Sequence, residues 1–292
     1  MTLALVTLRE RLDDAVARLS RAGIESARVD AEWLLAAALG VTRGRLVAVV
    51  DQAVNDEITE RYETWIQRRA EREPLQYILG TQAFRDLTIR VGPSVLVPRP
   101  ETEMLVSWAL ELLPPIGTKP LVLDVGTGSG CIACALASER PDVRVIALDA
   151  SAPAAALARE NVRAIGLADR ITVSVSDLFE GLVPVRADLI VSNPPYVPGA
   201  VIDTLAPEIT EHEPRAALDG GPDGLRVIRR LVTEAPKWLR PGAPLVLETF
   251  GDEQVGRAED VLRAAGFDDV STRRDLAGIT RFVCGRRAAG EV

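Results

Sequence analysis

The sequence predicts an α/β fold: a doubly wound, Rossmann-like sheet behind a small N-terminal helical domain and a β-hairpin linker. Three observations carry this. Residues 1–80 show helical periodicity with no strand pattern. From Pro120 onward, short apolar runs alternate with helical stretches, as in a parallel sheet. Two of those runs end in loop motifs, Gly126-Thr127-Gly128-Ser129-Gly130 and Asn193-Pro194-Pro195-Tyr196. The expected domains are 1–80 (helical), 81–100 (hairpin linker) and 101–292 (sheet domain).

Taken in order, Thr7 and Glu10 read as a capping box for a helix carrying Leu8, Leu12, Val16 and Leu19, ended by Gly23. Ser26 is the expected cap of the next helix, which holds Trp33, Leu34, Leu35 and Leu39 before Gly40. A short helical piece follows over 42–50, and Asn55 caps a longer helix through Ile58, Tyr62, Trp65 and Ile66. Alternation at Phe84, Leu87, Ile89 and Val91, then Val95, Leu96 and Val97, predicts two strands with Gly92-Pro93 as their turn. Pro98-Arg99-Pro100-Glu101-Thr102-Glu103 opens a helix, since proline suits a first turn and acids suit its dipole. Strands follow at 121–125, 143–148, 171–175, 187–192 and 244–248, with later helices over 223–239 and 253–265. Two last strands near 269–273 and 279–284 form a closing hairpin.

Composition narrows the function classes. Apolar residues make up 47% and charged ones 26%, as in a soluble globular protein. The net charge of −8 argues mildly against a nucleic-acid partner, whose phosphates call for a basic face. No apolar run reaches about 18 residues and no secretory signal is evident, so neither a membrane span nor export is expected. Three cysteines make no disulfide framework and suit a reducing cytoplasm. Cys131 and Cys134 read as small buried helix residues, Cys284 as core, and the single histidine, His212, as a loop residue, so no metal site is expected.

The chemistry lies in the loops at strand ends. A glycine-rich loop between strand and helix brings backbone against a nucleotide-like ligand, and alone it admits NAD as well as S-adenosylmethionine. Asp149, ending the next strand, can accept hydrogen bonds from both ribose hydroxyls, which these two ligands share. After the third strand, Ser176-Asp177-Leu178-Phe179 offers an acid and apolar neighbours for an adenine. Asn193-Pro194-Pro195-Tyr196 decides for a methyl donor: consecutive prolines fix the loop and leave only carbonyl acceptors, Asn193 adds an amide oxygen, and Tyr196 a flat face. Such a pocket accepts two hydrogen bonds from a planar –NH2 group. Hydride transfer has no use for it.

With these motifs in order, the sequence resembles the HemK-type release-factor glutamine methyltransferases over nearly its whole length. The resemblance runs through Arg72-Glu73-Pro74-Leu75-Gln76-Tyr77-Ile78-Leu79-Gly80, Val97-Pro98-Arg99-Pro100-Glu101-Thr102-Glu103, Leu123-Asp124-Val125-Gly126-Thr127-Gly128-Ser129-Gly130 and Val191-Ser192-Asn193-Pro194-Pro195-Tyr196. Glu213-Pro214-Arg215 through Asp223-Gly224-Leu225 and Asp275-Leu276-Ala277-Gly278-Ile279-Thr280-Arg281 extend it, while Glu248-Thr249-Phe250-Gly251 carries one residue more than the family's usual run. The resemblance implies a class I S-adenosylmethionine-dependent methyltransferase with a seven-stranded sheet, its helical domain docking the substrate. The family methylates N5 of the glutamine in the Gly-Gly-Gln tip of class 1 peptide-chain release factors, leaving S-adenosylhomocysteine. By motif, Gly126, Thr127, Gly128, Ser129, Gly130, Asp149, Asp177, Leu178 and Asn193 would hold the donor, and Asn193, Pro194, Pro195 and Tyr196 the glutamine. A cytoplasmic monomer acting without metal, membrane or nucleic acid is the implied setting. A sister family that methylates a ribosomal protein shares the Asn-Pro-Pro-Tyr loop, but its linker resembles Pro-Arg-Ser-Pro. An adenine-N6 methyltransferase would need a basic binding face.

Overall fold

In the computed structural model, residues 7–50 and 55–288 are described, and the chain divides into two compact units, Met1–Gly80 with Ala206–His212, and Thr81–Leu205 with Glu213–Val292.

The first unit is helical: α1 (Leu8–Arg21), α2 (Ala27–Leu39), the short α3 (Leu46–Val49), α4 (Asp56–Ala70), α5 (Leu75–Leu79) and, from the later segment, α10 (Pro207–Thr210). The Thr7–Glu10 capping box forms, and Asn55 Oδ1 accepts from the Ile58 amide at 2.9 Å. Ser26 occupies the N-cap of α2 but makes no side-chain cap bond. Its ψ of 20° departs from the extended geometry that aims a hydroxyl at the first-turn amides. Leu8, Leu12 and Leu19 of α1 pack with Leu34 and Leu35 of α2 and Tyr62 and Ile66 of α4, all buried, as their helical spacing requires. Ala206–His212 joins this unit through charge. Glu208 accepts from Arg69 at 2.8 Å and from Arg72 at 2.7 Å, and buried Arg69 also pairs with Asp30 at 2.8 Å.

The second unit opens with an antiparallel pair, β1 (Thr81–Phe84) and β2 (Leu87–Arg90). Its turn lies at Arg85-Asp86 and not at Gly92-Pro93. Arg85 takes φ +52°, a conformation unusual outside glycine, and is held there by bonds to Glu103 and Ser107. Residues 95–97 form no strand: Val95 and Val97 are buried, and the Val97 amide bonds the Glu213 carboxylate.

Helix α6 (Pro100–Leu112) then leads into the sheet strands β3 (Leu121–Val125), β4 (Arg144–Asp149), β5 (Ile171–Val175), β6 (Leu189–Ser192), β7 (Pro244–Glu248), β8 (Phe267–Arg274) and β9 (Thr280–Arg287). Between them run α7 (Cys131–Glu139), α8 (Ala152–Ile165), the short α9 (Gly199–Ile202), α11 (Arg226–Glu234) and α12 (Asp252–Ala264). Helix α11 stops where Pro236 lies in a following 3-10 turn. The strand order is β5-β4-β3-β6-β7-β9-β8, with β9 antiparallel to both neighbours and the rest parallel. This is the seven-stranded doubly wound sheet of class I methyltransferases. Strands β6 and β7 are buried at every position, which explains their unbroken apolar runs.

From β3 the chain builds outward to β4 and β5, then returns to place β6 on the other side of β3. The carboxyl ends of β3 and β6 therefore diverge at a topological switch point, where open sheets bind ligands. The glycine loop leaves β3 there, and Asn193-Pro194-Pro195-Tyr196 leaves β6.

Candidate active site

A cavity of about 280 Å³ opens at this edge of the sheet. Its wall carries Gly126, Thr127, Gly128 and Ser129, then Asp149, Asp177 and Leu178, then Asn193 and Pro195. Gly130, Pro194 and Tyr196 are not among the wall residues, though each adjoins one of them in the chain. Gly130 takes φ +80° at the start of α7, where a Cβ would come within 3.2 Å of Ala158. Its role is to let two helices approach.

The wall on the β3, β4 and β5 side is set by backbone. Asp149 accepts from the Gly128 amide and the Ser151 amide, both at 2.8 Å, so one carboxylate ties the glycine loop to the start of α8. Burial raises its pKa, while these two amides lower it. Gly128 has φ +56° and no atom within 4 Å of where a Cβ would stand, leaving room beside the loop for a ligand. Leu178 adopts φ +54°, its carbonyl held by the Ser176 hydroxyl at 2.9 Å. Asp177 pairs with Arg230, also on the wall, at 3.0 Å.

Several contributors escaped the sequence reading. Asn161, buried on α8, donates to the Ser129 carbonyl at 2.8 Å and exchanges two bonds with Arg90, bracing the glycine loop against the hairpin. Asp124, at the end of β3, is buried beneath the loop. Its Oδ2 accepts from Thr127 at 2.6 Å and from the Ala133 amide at 3.2 Å, while Oδ1 has no partner. Burial pushes its pKa up to about 7. An acidic residue before a glycine loop was the available signal.

The β6 side is built from side chains. Asn193 Nδ2 donates to Thr102 Oγ1 at 3.1 Å, Thr102 Oγ1 donates to Glu248 Oε2 at 2.9 Å, and Tyr196 donates to Glu248 Oε1 at 3.0 Å. Thr102 and Glu248 are 2% and 1% exposed, so water cannot substitute for these bonds. Burial raises the Glu248 pKa to about 7 against the lowering effect of its two hydroxyl donors. The Tyr196 ring also sits 6.3 Å from that of Phe250, tilted by 51°.

Two further motifs close around this loop. Glu213 accepts from Arg99 at 2.5 Å as well as from Val97, so the segments 94–98 and 214–217, which both contribute to the wall, are pinned by one buried carboxylate. The Asp219-to-Gly224 turn backs the tyrosine: a Cβ on Gly224 would fall 2.2 Å from the Tyr196 carbonyl oxygen and 2.3 Å from Gln254 Nε2, which itself donates to that carbonyl at 2.8 Å. The three cysteines are buried and unpaired, with Cys131 on the wall. Among the described residues, no group of three or more His, Cys, Asp or Glu is placed to hold a metal, and no helix is long and apolar enough to cross a membrane.

Known proteins resemble the chain along its length. Residues 10–80 match the PrmC N-terminal domain and residues 102–222 the methyltransferase small domain. A release factor glutamine methyltransferase of Geobacter sulfurreducens is 47% identical over 283 residues, covering 96% of each chain. One from Mycobacterium leprae is 42% identical over 289 residues, covering 97% of this chain and 98% of its own. A methyltransferase structure from Pyrococcus furiosus superposes with a TM-score of 0.53 at 20% identity, covering 70% of this chain and 91% of its own, a likeness of fold.

Proposed function

The chain belongs to the release factor glutamine methyltransferase family, and from that premise we propose that it transfers a methyl group from S-adenosylmethionine to N5 of the glutamine in the Gly-Gly-Gln tip of class 1 release factors. The observation that carries the reading is the meeting of the glycine loop and Asn193-Pro194-Pro195-Tyr196 around one cavity at the switch point.

The residues present fit the donor. Asp149 keeps lone pairs free beyond its two amide bonds, enough to accept from a ribose diol. Leu178, Ile132 and Val227 supply apolar wall for an adenine, and the open space at Gly128 admits close approach to backbone. Gly126, Thr127, Ser129 and Gly130 complete the loop, with Asp177 at its outer side. When bound, the donor supplies an electrophilic methyl.

Everything else falls to this chain. An amide nitrogen is a poor nucleophile because its lone pair is shared with the carbonyl. Asn193 Oδ1 and the Pro194 carbonyl each accept one hydrogen bond from the substrate –NH2, which turns the nitrogen lone pair toward the methyl and lets the nitrogen pyramidalise. Tyr196 packs on the flat amide, and Pro195 keeps the loop rigid. Fixing two reactants in this way supplies several kcal/mol, up to roughly 7–11 in ideal cases. No strong base is called for, because the alkylated amide loses its proton readily. The release factor is the partner, and the cytoplasm, where the three thiols stay reduced, is the setting.

The test is mass spectrometry of a release factor after incubation with enzyme and donor, reading a gain of one CH2 on the Gly-Gly-Gln peptide. Methylation of a ribosomal protein or of DNA, with the release factor untouched, would overturn the reading. Asn193→Ala should bind donor and lose about 10²–10³-fold in turnover, as expected for removal of one group aimed at the reacting atom.

A further inference from the structure

We propose that Thr102 and Glu248 are positioning residues: together they hold the Asn193 carboxamide in the one orientation that offers its oxygen to the cavity. The inference rests on the reading of the site as one that methylates a primary amide.

A carboxamide rotated by half a turn exchanges oxygen for –NH2 with almost no change of shape, so packing alone cannot orient it. The difference is decisive here. With its oxygen inward, Asn193 accepts from the substrate –NH2; turned around, it confronts that group with another donor and no bond forms. The choice is made by a chain of single protons. Thr102 has one hydroxyl proton and gives it to Glu248 at 2.9 Å. Towards Asn193 it therefore presents a lone pair, which only Nδ2 can use, at 3.1 Å. The same carboxylate accepts the Tyr196 hydroxyl at 3.0 Å, so one group sets the aim of the first and last residues of the motif.

Burial makes the arrangement binding on its members. Among the described residues no ion pair reaches Glu248, although it is 1% exposed at the end of β7. A buried acid without an ion-pair partner is costly, and an apolar residue would serve packing better. What an apolar residue could not supply is polarity: in its ionised form, dominant above about pH 7, the carboxylate only accepts, and so gives direction to both hydroxyls.

Thr102→Val keeps the branched shape and removes the hydroxyl. It should lower kcat about 10–100-fold, the range for loss of a residue that orients a contacting group, with donor affinity by titration as in the wild type. Thr102→Ser keeps the hydroxyl and should restore turnover. In an Asn193→Ala background, Thr102→Val should cost nothing further, because the group it orients is gone. Glu248→Gln can offer Thr102 either an oxygen or an –NH2, and should fall between wild type and Thr102→Val. Wild-type turnover in Thr102→Val, failure of serine to rescue, or an equal loss in both backgrounds would overturn the proposal. A wild-type enzyme that leaves release-factor glutamine unmodified overturns the underlying reading instead, before any variant is compared.

Discussion

The two walls of the cavity are made of different materials. The β3, β4 and β5 side is backbone: amides of Gly128 and Ser151 gathered by Asp149, a glycine loop in left-handed conformations, and Leu178 held by a neighbouring hydroxyl. The β6 and β7 side is a buried network of side chains running from Asn193 through Thr102 and Glu248 to Tyr196. The first needs shape and a few fixed partial charges. In the proposed reaction the second would have to distinguish a donor from an acceptor at one nitrogen, which only oriented hydrogen bonds can do.

This contrast can be broken most severely at Gly224. Gly224→Ala places a methyl 2.2 Å from the Tyr196 carbonyl oxygen at φ +75°, so the side-chain wall cannot keep its shape. Overpacking and strain together should cost about 3 kcal/mol or more, lowering Tm by about 6–12 °C for a domain of this size and abolishing turnover; calorimetry and methyl-transfer assays check both. On the backbone wall, Asp149→Ala removes a carboxylate and frees two amides. Losing the two proposed charge-assisted bonds to a ribose, each worth about 1.5–3 kcal/mol, should weaken donor binding by about 10²-fold or more by isothermal titration. Loosening of the glycine loop should appear as faster amide hydrogen exchange at Gly128 and Ser151. Unchanged affinity would remove Asp149 from the donor's contacts.

The gentlest probe is pH. Glu248 titrates near 7 folded against an ordinary 4.5, chiefly through burial, with Glu101 raising and Arg281 lowering its pKa. Between those values the unfolded chain ionises first and binds fewer protons, so this group makes stability fall as pH rises, and the effect levels off above about 7. Glu248→Gln should escape that fall. Urea midpoints of variant and wild type should diverge from about pH 4.5 to 7 and run parallel beyond it; parallel curves throughout would mean a solvated carboxylate.

The same division explains what could be read in advance. Strand, glycine loop, helix and a strand-end acid are contiguous, and local rules suffice for Gly126–Gly130 and Asp149. Thr102, Asn193 and Glu248 lie far apart in the chain, and nothing local marks Thr102 in a proline-led helix start, or Glu248 in an apolar strand, as partners of Asn193. They meet because β6 and β7 are adjacent and α6 packs against both. The hairpin turn lies elsewhere than expected for a related reason: Arg85 reaches a glycine-like backbone through bonds to Glu103 and Ser107 of α6, and although that helix is legible, its contacts with Arg85 are not. Asn161 was likewise hidden, its target being a carbonyl on another element.

Cys131 lies on the wall of the cavity proposed above to take an alkylating reagent. Sulfur attacks such reagents as thiolate, and desolvation, aided by the charge of Asp124, pushes this thiol up to about 12. At neutral pH the reactive anion is then scarce. With the donor bound as proposed, the enzyme would keep a soft nucleophile beside its methylating agent without being consumed by it, so long as the helix stays dry.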